Sequence, residues 1–142
     1  EAFTAAMVHD IGQIVLGLGM PAEFTAVCRE AELTGRAVED VERTRLGVTH
    51  ATVGAYLLGL WGLPFTIVEA VAYHHSPSLV PGGPREVLAA LHVSEAFADA
   101  GDKGRDVEPA IDRRFIEDAG LSTRLEQWSA LVRRDADAKI SA

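Results

Sequence analysis

The sequence predicts an all-α protein, on three observations. Apolar residues recur at three- and four-residue intervals in one segment after another, the apolar/polar alternation of a strand is missing, and the segments are separated by short breakers containing Gly or Pro. With 142 residues the chain can bury one hydrophobic core, so a single domain spanning 1–142 is expected, with helices joined by short connections. No internal repeat or low-complexity segment interrupts this pattern.

Ala2 to Leu18 carries apolar and small residues on every side, which predicts a helix enclosed all round and ending near Gly17 to Gly19, before Pro21. Pro21 opens a second helix through Phe24, Val27 and Cys28 to about Leu33, with Thr34-Gly35 as its breaker. Val38 to Leu46 is polar and acidic with Val41 and Leu46 as apolar contacts, reading as a short, mostly exposed helix ended by Gly47. Thr49 can cap the next helix, whose apolar face begins at His50 and continues through Val53, Gly54, Leu57, Leu58 and Trp61. Pro64 opens a helix through Ile67, Val68 and Val71 to His74-His75, which Ser76-Pro77 closes. Leu79 to Pro84 is a Pro- and Gly-rich loop, the best candidate for a mobile connection. A helix from about Arg85 to Ala100 places Leu88, Leu91 and Ala98 on one face with Glu95. After a polar turn at Gly101 to Gly104, Pro109 to Asp118 reads as a short helix and Leu121 to Ile140 as an amphipathic one using Leu125, Trp128, Leu131 and Val132.

Composition narrows the classes of function. A net charge of −8 offers no general electrostatic grip on nucleic acid, and the only basic doublets, Arg113-Arg114 and Arg133-Arg134, read as solvated helix faces. No apolar run reaches the roughly 20 residues of a membrane span. The lone cysteine, Cys28, suits a small core residue and a reducing compartment, so a cytoplasmic location is expected. The chain opens on Glu1 directly into a helical pattern with no signal peptide, and reads as a piece of a longer polypeptide.

Polar residues on otherwise apolar faces then stand out: His9, Asp10, His50, His74, His75 and Glu95, from four separate helices. A carboxylate in a packed interior is costly unless paired, hydrogen-bonded or bound to a metal. Imidazole and carboxylate together form the ligand set of divalent ions, and helix bundles build such sites between facing helices. Each residue also has a structural reading. A histidine can be a neutral core residue bonded to a carbonyl, as His92 is read here; Asp10 can pair with His9 in a buried network; Glu95 can be a half-exposed helix acid.

His9-Asp10-Ile11-Gly12 resembles the His-Asp signature of the HD superfamily of metal-dependent phosphohydrolases. The longer series of Glu42, Leu46-Gly47-Val48-Thr49-His50, Val53-Gly54-Ala55, Leu57-Leu58, Trp61, Leu63-Pro64, His74-His75 and Pro77 resembles the HDOD domain, the HD-related output domain of bacterial signalling proteins. The likeness covers about residues 1–100, with 101–142 as a helical tail.

That resemblance implies an HD-superfamily helical bundle, here without the N-terminal helices of a full HDOD domain, acting downstream of a receiver or other sensory domain. It implies His9 and Asp10 as the central ligand pair, His50 as the next ligand, His74-His75 as the His doublet, and Glu95 at a position usually held by Asp. The implied cofactor is a divalent metal: Fe, Mn, Zn or Mg. Apolar surface left by the missing helices implies a homo-oligomer. If catalysis survives, Asp10 is its candidate residue, in a phosphohydrolase of nucleotides or cyclic nucleotides. Against turnover, Gln13 replaces a phosphate-contacting Lys, and Ser76-Pro77 replaces the Gly-Tyr-Pro motif of cyclic-di-GMP phosphodiesterases. An upstream ligand expected on an earlier helix is absent.

Overall fold

The chain was studied as a computed structural model that describes residues 1–80, 82–83, 85–103 and 107–140. Those residues contain nine α-helices and no strand: α1 Ala2–Val8, α2 Ile11–Gly19, α3 Pro21–Thr34, α4 Val38–Leu46, α5 His50–Leu60, α6 Phe65–Tyr73, α7 Glu86–Lys103, α8 Arg113–Asp118 and α9 Ser122–Ile140, with a 3-10 turn at Pro77–Leu79. The all-α expectation is met. Part of the predicted Leu79 to Pro84 loop, residues 81 and 84, lies outside the described residues, as does Gly104 of the predicted turn; α7 itself continues through Lys103.

The predicted first helix is two helices. Neither Pro nor Gly occupies the break; Asp10 takes φ −94° and ψ 9°, leaving the helical region between α1 and α2. Ala2–Gly19 has a mean hydropathy of 1.3 over 18 residues, yet it is divided into helices of 7 and 9 residues, each far short of a span. Nor is the segment enclosed. Phe3, Met7, Ile14 and Leu18 face outward at 59–81% exposure, and its buried residues are Ala5, Gly12 and Leu16.

Two glycines set how closely this side packs at one crossing. α2 lies directly on α5, and a Cβ added to Gly12 would stand 1.9 Å from the carbonyl oxygen of His50 and 2.8 Å from the amide nitrogen of Gly54. Only glycine permits that approach. On Gly54 a Cβ would meet the Gly12 nitrogen and the Ile11 side chain at 3.2 Å. The crossing brings the chain on either side of Gly12 against the first turn of α5.

Ala5, Ile67, Leu88, Leu91, Phe115 and Ile116 belong to the main core, shared by α1, α6, α7 and α8. Leu58, Ala55 and Val71 join α5 to α6, while Val27, Ala31 and Val41 join α3 to α4. Several expected core contacts fall outside these clusters: Trp61 is 61% exposed at the end of α5, Ala98 is exposed on α7, and Leu131 and Val132 are exposed on α9. Cys28 is partly buried, and burial followed by the charges of Glu32 and Glu42 raises its thiol pKa, which disfavours the reactive thiolate.

Candidate metal centre

Three helices bring four histidines to one place. His9 stands at the end of α1, His50 opens α5, and His74 and His75 follow the last residue of α6. Their ring centroids lie 5.4 Å apart for His9 and His74, 5.7 Å for His50 and His74, 5.0 Å for His50 and His75, and 4.0 Å for His74 and His75. All four predicted histidines therefore meet, and Asp10 and Glu95 border them.

The local sequence explains how His50 is held. Gly47, in the left-handed region at φ +73°, ends α4 and lets the chain reverse; Thr49 then caps α5 by accepting from the Thr52 amide at 3.2 Å. This reversal sets Glu42 against the start of α5. Its Oε2 accepts from the His50 backbone N–H at 2.8 Å and from His50 Nδ1–H at 2.7 Å, so one carboxylate ties down a first-turn amide and the imidazole together. Glu42 is fully buried and His50 is 1% exposed. Val41 is the buried contact expected of α4, and Glu42 beside it is buried as well.

Three of the rings share one arrangement. His50 Nδ1–H donates to Glu42, His74 Nδ1–H to the Val71 carbonyl at 2.7 Å, and His9 Nδ1–H to the Ala6 carbonyl at 2.8 Å. With the proton on Nδ1, each Nε2 presents a lone pair. His50 Nε2 lies 3.0 Å from His75 Nε2, close enough for these nitrogens to share one proton. His74 Nε2 is fully buried and has no hydrogen-bond partner, and Asp10 Oδ1 is likewise without one.

The carboxylates complete the border. Asp10 sits at the N-cap of α2 but makes no capping bond; Oδ1 lies 3.5 Å from His50 Nε2 and Oδ2 3.4 Å from His9 Nε2. Glu95 Oε1 lies 3.4 Å from His75 Nδ1 and 3.8 Å from His74 Nε2. Glu95 also lines a cleft of about 310 Å³ together with His75, Asp99, Glu39 and Asp40, so the cluster communicates with the surface on this side.

Electrostatics divides the group. Burial, reinforced by the neighbouring His75, drives the His74 pKa down to about 3; burial and then His50 take His75 down to about 4. Burial also opposes a charged His50, but its hydrogen bond to Glu42 and the charges of Glu42, Asp10 and Glu39 outweigh it and leave that pKa raised. Burial, with Asp10 and Asp99 nearby, lifts Glu95 to about 8. At neutral pH the doublet is therefore uncharged and offers lone pairs.

The donor set fits a divalent cation. His50, His74 and His75 can place one ligand nitrogen each within 4.8 Å of the others, and the buried Nε2 of His74 carries a lone pair that no hydrogen-bond donor meets. Adjacent nitrogens around a tetrahedral zinc are about 3.3 Å apart, near the separation of the His50 and His75 Nε2 atoms. The Nδ1 contacts to Glu42 and the two carbonyls match the outer contacts that orient metal-binding imidazoles.

Sequence reasoning placed Glu42 in the family series but gave it no role at the site. Its signal was present: Glu42 lies four residues after Val38 and four before Leu46, in the middle of the apolar stripe of α4. His92, read as a core histidine, is buried and hydrogen-bonded through both nitrogens, as that reading requires.

An all-α bundle with converging histidines defines the class, and comparison with known proteins gives the family. The HDOD domain profile matches residues 1–77, more than half of the chain. The chain belongs to the HDOD family. A search of curated proteins found no match. Among solved structures, it is similar to a protein of Marinobacter aquaeolei VT8 assigned provisionally to signal transduction, with 28% identity and a TM-score of 0.71 over 94% of this chain. The match spans 30% of the length of that protein.

Proposed function

We propose that the chain is a regulatory output module of bacterial signalling whose histidine cluster holds one divalent cation. The observation that carries this reading is the buried, unpartnered Nε2 of His74 beside His50 and His75, with the opposite nitrogens of His74 and His50 tied to fixed acceptors. HDOD membership and the likeness to a protein assigned to signal transduction support the signalling role. His50, His74 and His75 would be the nitrogen donors, with Asp10, Glu95 and His9 at the border. Three imidazoles with carboxylates favour zinc, iron or manganese over magnesium, which prefers an all-oxygen set. The cation would join α2, α5 and α6, making its occupancy a property that a partner could read. A receiver or other sensory domain upstream and a cytoplasmic location belong to the same proposal.

The half-exposed Asp10 gives a second reading, a metal-dependent phosphohydrolase. A bound divalent ion would supply Lewis-acid charge to such chemistry. Asp10 would hold or move a proton at its carboxylate next to His50 and His9. Gln13 supplies no charge for phosphate, which favours the regulatory reading.

Elemental analysis of protein purified without chelator tests the proposal. About one equivalent of zinc, iron or manganese per chain is expected in the parent and its loss in His50→Ala. Substoichiometric metal in the parent would remove it. The metal-loaded parent is expected to leave bis(p-nitrophenyl) phosphate intact, and turnover abolished by Asp10→Ala would move the assignment to the hydrolase.

A further inference from the structure

His92 is the histidine outside the cluster, 8% exposed on α7 between the buried Leu91 and Val93. Both of its nitrogens are committed. Nδ1–H donates to the His74 carbonyl at 2.7 Å, which leaves Nε2 to accept the Asp112 backbone N–H at 3.0 Å. Asp112 caps α8, its Oδ1 accepting from the Phe115 amide at 2.9 Å, and its Oδ2 accepts from the Ser78 hydroxyl. Ser78 belongs to the 3-10 turn that follows the doublet. His74 is thus held directly by His92, and the chain four residues later is held by Asp112.

The bond to His74 falls where it is needed. The last carbonyls of a helix lack intrahelical donors, and the doublet sits at that end of α6. His92 supplies a donor from a neighbouring helix. It also lies one turn before Glu95, so the contact that grips His74 sets where along α7 the Glu95 carboxylate meets the doublet.

We infer that His92 is a positioning residue, fixing the His74–His75 doublet through the His74 carbonyl and joining the doublet to the start of α8 through the Asp112 amide. Loosening His92 loosens both ends, and a change at α8 reaches the doublet by the same two bonds. The inference rests on the proposed metal centre only where metal affinity is the readout.

The test compares His92→Phe, which keeps a ring and loses both bonds, with Leu91→Ala, which removes core volume from the same helix and touches neither. Metal-free parent and variants are followed by hydrogen-exchange mass spectrometry. Faster exchange is expected in residues 74–79 and 112–116 of His92→Phe, by at least about tenfold beyond that in Leu91→Ala, with α2 and α3 unaffected. Zinc titration is then expected to weaken by roughly 10–100-fold in His92→Phe, to recover in part in His92→Gln, and to stay near the parent value in Leu91→Ala. Equal exchange of residues 74–79 in His92→Phe and Leu91→Ala would overturn the inference. A parent that binds no zinc would remove the metal centre while the exchange comparison still decides the role of His92. If His92→Phe fails to fold, His92→Gln against Leu91→Ala decides it by the same exchange of residues 74–79.

Discussion

α1 and α2 show two unlike sides. Their inward side carries Ala5, Gly12 and Leu16, and at Gly12 it meets a fully buried His50. Their outward side carries Phe3, Met7, Ile14 and Leu18, all large, apolar and exposed. The closest contact, Gly12 on the first turn of α5, is set by size and not by hydrophobicity, since any Cβ there would strike the His50 carbonyl. Close approach of α2 and α5 sets Asp10 beside His50, and bulk at Gly12 would hold the helices apart. Leu60, Trp61 and Phe65 are likewise large, apolar and 61–74% exposed, so many of the large apolar residues in the first 65 positions contribute little to the core.

The comparison breaks most visibly at Gly12. Gly12→Ala drives a methyl into the His50 carbonyl, and a loss of about 3 kcal/mol or more is expected in urea unfolding, at the upper end of the cost of overpacking. Gly59, on the same α5 but with open space around it, is the counterpart: Gly59→Ala is expected to be neutral or to stabilise by up to about 1 kcal/mol. Equal effects at the two positions would show that the crossing is not tight.

The next effect is at Glu42. Glu42→Gln keeps the volume but weakens two buried hydrogen bonds to His50, and a loss of about 2 kcal/mol is expected from denaturation midpoints. Zinc affinity is expected to fall with it by roughly tenfold or more, because the imidazole is no longer oriented. A loss of stability with unchanged affinity would leave Glu42 as a helix cap alone.

Proton linkage gives a smaller, signed effect in the metal-free protein. His74 and His75 are depressed from 6.5 to about 3 and about 4, so below 6.5 the unfolded chain binds more protons and stability falls as pH falls. Glu95 is raised from 4.5 to about 8, so the folded chain holds the extra proton in that window and stability falls as pH rises through it. His50, also raised, adds to the alkaline decline. Glu95→Gln is therefore expected to shrink the decline between about pH 6 and pH 8 by on the order of 1 kcal/mol while leaving the acid side in place. An unchanged alkaline limb would place Glu95 in water.

The outward side yields the smallest change. Leu18, 81% exposed, makes Leu18→Gln an expected shift of less than about 0.5 kcal/mol in thermal or urea unfolding. A loss several times larger would mean that this face is covered in solution, and light scattering would show whether a second copy covers it.

Much of this was legible in the sequence because period and breakers report helices directly. Seven helix starts or ends follow from Pro21, Gly35, Gly47, Thr49, Pro64, Gly19 and Leu121, each placed within a few residues. The histidines were legible because imidazoles on apolar faces of separate helices are costly without a shared purpose. Burial of the first segment was not, since an apolar stretch says nothing of which side has a neighbour. The break at Asp10 was also hidden: it contains no helix breaker, and its carboxylate leaves its capping position for His50. Glu42 was hidden by its acidic surroundings, although its spacing from Val38 and Leu46 marked it. His92 could be read as buried, but its grip on His74 depends on tertiary contact across 18 residues.

The central claim is that His50, His74 and His75 present ring nitrogens to a common ion, with the Nε2 of His74 already unprotonated before the ion arrives. A long-range proton–nitrogen NMR spectrum of the histidine-labelled, metal-free protein, recorded before and after zinc, tests it most directly. His74 is expected to show the Nδ1-protonated neutral form before addition, and the Nε2 signals of His50, His74 and His75 are expected to shift on zinc while the Nδ1 protons of His50 and His74 remain. An Nε2-protonated His74, with ring signals unmoved by zinc, would contradict the account.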